Sequence, residues 1–219
     1  MTGMALSRPL IPAALRRPAG LTLGVAVMLV AVLSLHFADS TRAGRIDNNL
    51  GRRLPRSFTY DRSLLQHLTQ LADPEPIAIT ALVLVASLVA LRRPRAALLA
   101  AIAIPLSAAI TEWLLKPLVD RTLLGNYAFP SGHTTAIFTV AFIISLLVLD
   151  RQPPRLPLTV AVLTSVAALG VASTVAAALV AAHVHYATDT LGGAGVGLAT
   201  VLGVSLGIDR RAQRRESRH

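Results

Sequence analysis

The sequence predicts an all-α, polytopic membrane protein whose six transmembrane helices form one bundle. Its 219 residues are 53% hydrophobic and only 15% charged, with a mean hydropathy of +0.61, whereas an ordinary soluble domain is roughly 25% charged. Apolar stretches occupy about residues 20–38, 76–91, 96–115, 134–149, 158–182 and 186–207. A helix needs ~20 residues to cross a bilayer. Two stretches are short, and helix tilt or local bilayer thinning accommodates them.

The first apolar stretch follows Arg16 and Arg17, as the hydrophobic region of a signal peptide would. It is longer than such regions usually are, and residues 35–38 contain no cleavage pattern of small residues. We therefore expect a retained first helix. The chain then divides into an N-terminal tail (1–19), a membrane domain (20–207) with a long outer loop (39–75), and a basic tail (208–219).

The outer loop and the C-terminal tail are polar. Residues 63–71 fit a short amphipathic helix on the membrane surface, and a simple connector explains them equally well. Residues 209–219 form a charge run without apolar periodicity, which predicts a solvated, disordered end.

The distribution of basic residues predicts the orientation in the membrane. An even number of helices places both termini on one side. Of the 21 basic residues, 13 lie in the two tails and in the second and fourth connections. Six of the other eight lie in the long 39–75 loop, where charge influences topology less. We expect a cell-membrane protein with both termini in the cytoplasm and the third connection outside.

The net charge of +10 would suggest a nucleic-acid partner if the protein were soluble. Here the arginines lie between apolar stretches, which favours contacts with anionic membrane lipids instead. The chain has no cysteine, so it has no disulfides and no zinc–thiolate site. We expect neither a cofactor nor a nucleic-acid partner, and the sequence leaves the oligomeric state open.

The first of three polar clusters lies just past the end of the third apolar stretch. Lys116, the only lysine in the chain, and Arg121 offer two cations that suit a phosphate dianion. Cations that anchor a helix end at the membrane interface are the commoner explanation of such a pair. Glu112 lies four residues before Lys116 and is placed to pair with it.

The second cluster, Phe129-Pro130-Ser131-Gly132-His133, opens the fourth apolar stretch. Ser131 is a natural helix N-cap, and Gly132 lets a ligand approach the backbone. Free N–H groups at this helix start would bind an anion, with His133 beside it. An ordinary capped helix with an interfacial histidine remains the alternative.

The third cluster opens the last apolar stretch. His185 and Asp189 are four residues apart and share one helix face, so the carboxylate is expected to accept an imidazole N–H. The other ring nitrogen is then free to attack phosphorus. His183 points away on a helix and is expected to be structural or interfacial. The glycines that follow, Gly193 and Gly197, favour close helix packing over a nucleotide-binding loop.

In this order the clusters resemble the signature of the type 2 phosphatidic acid phosphatases (PAP2), a membrane family related to the vanadium haloperoxidases. That signature has a lysine, six residues and Arg-Pro; then Pro-Ser-Gly-His; then Ser-Arg, five residues, His, three residues and Asp. Lys116 matches the first part, residues 130–133 match the second in full, and His185 and Asp189 match the end of the third. The resemblance covers about residues 76–205.

Two signature arginines are missing. Leu123 and Leu124 stand where the family has Arg-Pro, and Ala178 and Leu179 stand where it has Ser-Arg. Arg121, two positions before the first gap, is the expected substitute there. His183 is the one candidate near the second gap.

The resemblance implies that His185 attacks phosphorus to form a phosphohistidine, oriented by Asp189. It implies that His133 protonates the leaving oxygen and later activates water. These three residues alone would make a poor metal site, so no metal is expected. The expected phosphate-binding residues are Lys116, Arg121, Ser131 and Gly132.

The implied function is a membrane lipid phosphatase whose active site faces outward. Expected substrates are polyprenyl phosphates or diphosphates, phosphatidic acid or phosphatidylglycerol phosphate. Two alternatives stay open: a lipid phosphotransferase, and a catalytically silent relative that binds or transports lipid phosphates.

Overall fold

A computed structural model describes residues 9–58, 62–149 and 156–217 of the chain. The helices are α1 (Arg16–Phe37, after a 3-10 turn at Ala13–Leu15), α2 (Arg45–Phe58), α3 (Arg62–Gln70), α4 (Pro74–Ala90), α5 (Pro94–Ala109), a π-helical segment (Ile110–Leu115) that continues into α6 (Lys116–Val119), α7 (Gly132–Leu149), α8 (Leu158–Ala181) and α9 (Ala187–Glu216). Strands β1 (Thr122–Leu123) and β2 (Asn126–Tyr127) form a short antiparallel hairpin.

The apolar stretches all form helices, as predicted. Within the described residues, five helical segments are long and apolar enough to cross a membrane. They are α1 with its 3-10 turn, the continuous α5–α6 segment, α7, α8 and α9. The remaining stretch forms α4, whose 17 residues follow α3 at a bend of 50°. Counting that bent pair as one broken span gives six.

Helix α7 lies inside the bundle and packs against α5, α8 and α9. Small residues make the α7–α9 contact close. A Cβ atom added to Gly193 would lie 2.6 Å from the carbonyl oxygen of Ser131, and one added to Gly197 would lie 2.9 Å from Oγ1 of Thr139. The predicted packing role of these two glycines is confirmed, and it places the start of α7 against the start of α9.

The C-terminal end differs from its prediction. Helix α9 continues to Glu216, where a disordered tail from residue 209 was expected. The reason is Asp209, which is buried and accepts hydrogen bonds from the backbone N–H groups of Leu10 (2.8 Å) and Ile11 (2.9 Å). This contact also places the N-terminal segment beside the end of α9, on the same end of the bundle.

The described residues of the 39–75 loop are largely helical. Of the two alternatives for residues 63–71, the structure has the helix, α3, whereas α2 was not anticipated. The connection before α2 is bound to the end of α6 and to β1 by two backbone hydrogen bonds. Asp39 N–H donates to the Val119 carbonyl (2.9 Å), and Thr122 N–H donates to the Ser40 carbonyl (3.1 Å). The loop therefore lies over the end of the bundle where α6 ends and where α7 and α9 begin.

Candidate active site

Two histidines face each other at this end of the bundle. His133 lies in the first turn of α7, and His185 lies just before α9. Their ring centroids are 6.1 Å apart, with the ring planes at 61°. The convergence of the second and third clusters, which sequence spacing alone could not measure, is therefore present in the structure.

The start of α7 has the predicted cap. Ser131 is fully buried, and its Oγ accepts a hydrogen bond from Thr134 N–H (3.3 Å). Ser131 N–H donates to the Asp189 carbonyl (3.0 Å), which joins the start of α7 to α9. Within the described residues, the N–H groups of Gly132 and His133 have no hydrogen-bond partner, as expected for the first turn of a helix.

Gly132 provides a close approach for the end of the π-helical segment. A Cβ atom at this position would clash with Oε1 of Glu112 and would lie 3.7 Å from Nζ of Lys116. Nζ of Lys116 donates to Oε2 of Glu112 (2.8 Å), as the four-residue spacing suggested. The structure thus brings Lys116 beside Gly132, adjacent in sequence to His133, with Glu112 as a competing anion.

His133 has a partner that sequence reasoning missed. Its Nε2 lies 3.2 Å from Oδ1 of Asp73, the residue that precedes α4. Both side chains are partly exposed. The two residues are 60 positions apart, and no local spacing signals such a contact.

His185 is held in one tautomer by a backbone group. Its Nδ1 lies 3.0 Å from the carbonyl oxygen of Ala128. A carbonyl oxygen only accepts, so Nδ1 carries a proton, and in the neutral ring Nε2 keeps a free lone pair. Asp189 was expected to accept this proton, but its Oδ2 lies 3.8 Å from Nδ1, beyond hydrogen-bond distance.

The carboxylate of Asp189 is held by other donors. Oδ2 accepts a hydrogen bond from Tyr186 N–H (2.8 Å), closing a capping arrangement at the start of α9. Oδ1 accepts from Nη1 of Arg121 at 2.5 Å. These two bonds turn the carboxylate away from a direct hydrogen bond to His185. The carboxylate of Asp189 nevertheless stays close to Nδ1 of His185.

Arg121 does not occupy the position expected of a phosphate-binding residue. Its side chain is 0% exposed and lies between the rings of Phe37 and Tyr186, with the guanidinium carbon 3.7 Å and 4.3 Å from their centroids. Its nitrogens donate to carboxylates, Asp47 and Asp189. A guanidinium that is fully buried and paired twice presents no surface to a substrate. The expectation that Arg121 binds the phosphate is therefore not met, and Arg121 instead links the buried carboxylates of Asp47 and Asp189.

Asp47, in the first turn of α2, is the other partner of Arg121. Burial alone would raise the pKa of its carboxyl group. Hydrogen bonds from Thr188, Arg121 and Gly44 outweigh that effect and leave the pKa below its ordinary value. Asp47 is therefore a buried anion, and it links the 39–75 loop to α9.

The positions of the missing signature arginines carry apolar residues with ordinary roles. Ala178 and Leu179 are buried in α8, while Leu123 lies in β1 and Leu124 is exposed in the hairpin turn. His183 lies exposed in the turn after α8, with φ of 59°. Neither of the two expected substitutes, Arg121 and His183, therefore takes the place of a missing arginine. Nor do the described residues contain a group of three or more His, Asp or Glu side chains placed to hold a metal ion.

The fold and the site together define a helical membrane protein with two facing histidines at one end of its bundle. The chain belongs to the PAP2 superfamily, whose family model matches residues 77–213. No curated protein matches it significantly. Among solved structures it is similar to the first transmembrane PAP2-type phosphatidylglycerolphosphate phosphatase from Bacillus subtilis. The TM-score is 0.68 at 17% identity, covering 87% of this chain and 96% of that one. The predicted fold and the family resemblance are confirmed, and the protein is a multi-pass membrane protein.

Proposed function

We propose that this protein is a lipid phosphatase that works through a phosphohistidine on His185. The observation that carries the proposal is the pair of facing rings, 6.1 Å apart between centroids. One ring has its Nδ1 proton engaged by the Ala128 carbonyl. That arrangement leaves Nε2 of His185 as a nucleophile and His133 as the nearby acid and base.

In the first step, Nε2 of His185 forms a bond to phosphorus while the bond from phosphorus to the leaving oxygen breaks. His133 gives a proton to that oxygen, so the lipid leaves as a neutral alcohol, or as a monophosphate from a diphosphate. In the second step, His133 takes a proton from water as the water oxygen attacks phosphorus. The P–N bond breaks, and inorganic phosphate is released.

The phosphate is proposed to bind between Lys116 and the start of α7. The lysine side chain is only 16% exposed, but it lies beside Gly132. The two backbone N–H groups without partners, those of Gly132 and His133, add donors strengthened by the helix dipole. Lys116 must exchange part of its contact with Glu112 for the phosphate, so binding is expected to weaken that ion pair.

The lipid is proposed to reach the site from the outer leaflet, with both termini in the cytoplasm. The excess of basic residues at the opposite end of the bundle supports this orientation. Polyprenyl phosphates or diphosphates, phosphatidic acid and phosphatidylglycerol phosphate are the proposed substrates. The similar Bacillus subtilis structure is described as a phosphatidylglycerolphosphate phosphatase, which favours testing that lipid first.

One observation favours a second candidate, a silent relative that binds or moves lipid phosphates. Arg121, the expected substitute for the first missing signature arginine, is buried and paired with two carboxylates. Such a protein would bind lipid phosphates without releasing phosphate. A phosphotransferase would consume the lipid phosphate and pass the phosphoryl group to an acceptor other than water.

The test is phosphate release by the purified protein in detergent, with a panel of the lipid phosphates named above. The wild type should release phosphate from at least one lipid and should form an acid-labile phosphoenzyme. His185→Ala should lose both while remaining folded, whereas His67→Ala, an exposed histidine of α3, should keep both. Binding without lipid turnover would support the silent relative, and turnover without free phosphate would support the transferase. Substantial turnover by His185→Ala would remove His185 as the nucleophile.

A further inference from the structure

Asp47 lies outside the PAP2 signature, in a helix of the outer loop that was not anticipated. We propose that Asp47 is a positioning residue for His185, acting through Arg121 and Asp189. This inference rests on the proposed function of His185 as the nucleophile. It assigns to α2 a part in catalysis beyond covering the end of the bundle.

The side-chain path from Asp47 to His185 is short. Oδ2 of Asp47 lies 2.8 Å from Nη2 of Arg121, and Nη1 of Arg121 lies 2.5 Å from Oδ1 of Asp189. The other oxygen of Asp189 lies 3.8 Å from Nδ1 of His185. Three side-chain contacts thus join α2 to the imidazole ring of His185.

Backbone hydrogen bonds provide a second connection between Arg121 and His185. Ala128 N–H donates to the carbonyl oxygen of Arg121 (2.7 Å). The carbonyl oxygen of Ala128 accepts the Nδ1 proton of His185 (3.0 Å). Arg121 therefore contacts both groups that face Nδ1, Asp189 through its side chain and Ala128 through its backbone. A shift of Arg121 would displace both.

Asp47 binds the guanidinium of Arg121 through Nη2, whereas Asp189 binds it through Nη1. Its Oδ1 accepts hydrogen bonds from the N–H (2.8 Å) and the Oγ1 (2.9 Å) of Thr188, and Gly44 N–H donates to its Oδ2 (2.9 Å). Oγ1 of Thr188 also accepts from Nη1 of Arg121 (2.7 Å). The side chains of Asp47 and Arg121 are at most 1% exposed, so water does not replace these bonds. Arg121 is thereby restricted to one geometry.

Charge gives Asp47 a second effect. The buried cluster has two carboxylates and one guanidinium, so it carries an excess of one negative charge when all three are ionised. As Nε2 of His185 bonds to phosphorus, Nδ1 keeps its proton and the ring becomes cationic. The excess negative charge stabilises that cation, and low exposure strengthens the effect. Without the charge of Asp47, Arg121 and Asp189 form a neutral pair.

The decisive variant is Asp47→Asn, which keeps the shape of the side chain and removes its charge. The matched control is Asp39→Asn, which removes the same charge from an exposed residue of the same outer segment. The kcat of Asp47→Asn on a short-chain lipid phosphate should fall roughly 10- to 100-fold, the range seen when groups that orient metal-binding histidines are removed. KM should stay near the wild-type value, because Asp47 lies outside the proposed phosphate site. Asp39→Asn should change neither constant.

A spectroscopic measurement separates positioning from stability. In protein with ¹⁵N-labelled histidine, with the His185 signals assigned by their loss in His185→Gln, the wild type and Asp39→Asn should show one tautomer with the proton on Nδ1. In Asp47→Asn the ¹⁵N chemical shifts of the two ring nitrogens of His185 should become more similar, because both tautomers become populated. A folded Asp47→Asn with wild-type kcat, or with an unchanged His185 signal, would overturn the proposal.

Two further outcomes of this experiment, an unfolded Asp47→Asn protein and an inactive wild type, each have their own test. If Asp47→Asn does not fold, Thr188→Val replaces it, because it keeps both ion pairs and the side-chain shape. Its kcat should fall a few-fold at unchanged KM, and no fall would reject the positioning role. If the wild type releases no phosphate, the proposed function fails, whereas the His185 signal in Asp47→Asn still decides whether Asp47 orients the ring.

Discussion

The separation of the two histidines depends on how closely α7 and α9 pack, and Gly193→Ala perturbs that packing directly. The added Cβ would lie 2.6 Å from the carbonyl oxygen of Ser131 and 3.0 Å from the amide nitrogen of Thr135. Both are backbone atoms of the segment that carries His133, so no side-chain rotation relieves the clash. The start of α7 must move away from α9.

The size of the effect follows from the distance. An ordinary contact begins at 3.4 Å, so the helices must separate by roughly 0.8 Å. Overpacking of this kind costs about 1–3 kcal/mol, and the higher helix propensity of alanine returns about 1 kcal/mol. The net loss of stability is then roughly 0–2 kcal/mol. A 1 Å misplacement in an active site lowers the rate by up to about 100-fold.

The assay is kcat for phosphate release in detergent, measured beside the thermal unfolding midpoint. Gly193→Ala should lose about 10- to 100-fold in kcat with a modest change of midpoint. The matched control is Gly207→Ala on the same helix, where an added Cβ meets nothing within 4 Å. It should keep full activity with an equal or higher midpoint.

The reasoning would be refuted by a Gly193→Ala protein with wild-type kcat. That result would mean that the histidine separation is set by contacts other than the α7–α9 packing. Equal losses of kcat in Gly193→Ala and Gly207→Ala would also refute it, because the structure predicts a clash only at the first position.

Four other predictions follow from the same structure. Arg121→Leu should leave two buried carboxylates unpaired and cost about 3–5 kcal/mol of stability. Arg121→Lys should restore little of that loss. Normal folding and activity of both variants would contradict a structural role for the buried Arg121. Asp209→Ala should cost about 2–4 kcal/mol at unchanged kcat, because two buried N–H groups lose their acceptor, and an unchanged midpoint would contradict this. A cysteine at Asn126 should be labelled from outside intact cells, and one at Gln213 only after permeabilisation; the opposite pattern would invert the topology. Activity should survive EDTA, since the proposed chemistry uses water and groups of this chain, and loss restored by one divalent ion would disprove it.

Hydropathy predicted the membrane helices well, because a continuous apolar stretch in a bilayer has few alternatives to a helix. It did not predict α2, because residues 45–58 are polar on average. The signal that could have found this helix is its spacing, since Ile46, Leu50, Leu54 and Phe58 recur every four residues. What spacing could not show is its tertiary contact, in which Asp47 pairs with Arg121 and accepts hydrogen bonds from Thr188. The helical end of α9 was missed for a similar reason: its charged residues resemble a disordered tail, and only the buried contact of Asp209 with the N-terminal segment reveals otherwise.

The sequence by itself determined the family, the order of the three polar clusters and the residues Lys116, His133 and His185 at the helix ends, because those signals are local patterns of spacing. Only the tertiary structure decided which groups contact the nucleophile. The Nδ1 proton of His185 goes to a backbone carbonyl 57 residues away, not to the carboxylate four residues along the helix. Arg121, which local spacing suggested as a phosphate ligand, is instead buried between carboxylates 74 and 68 positions distant. The physical reason is that a buried charge must find an opposite charge wherever the fold supplies one, and no local spacing records which distant residue that will be.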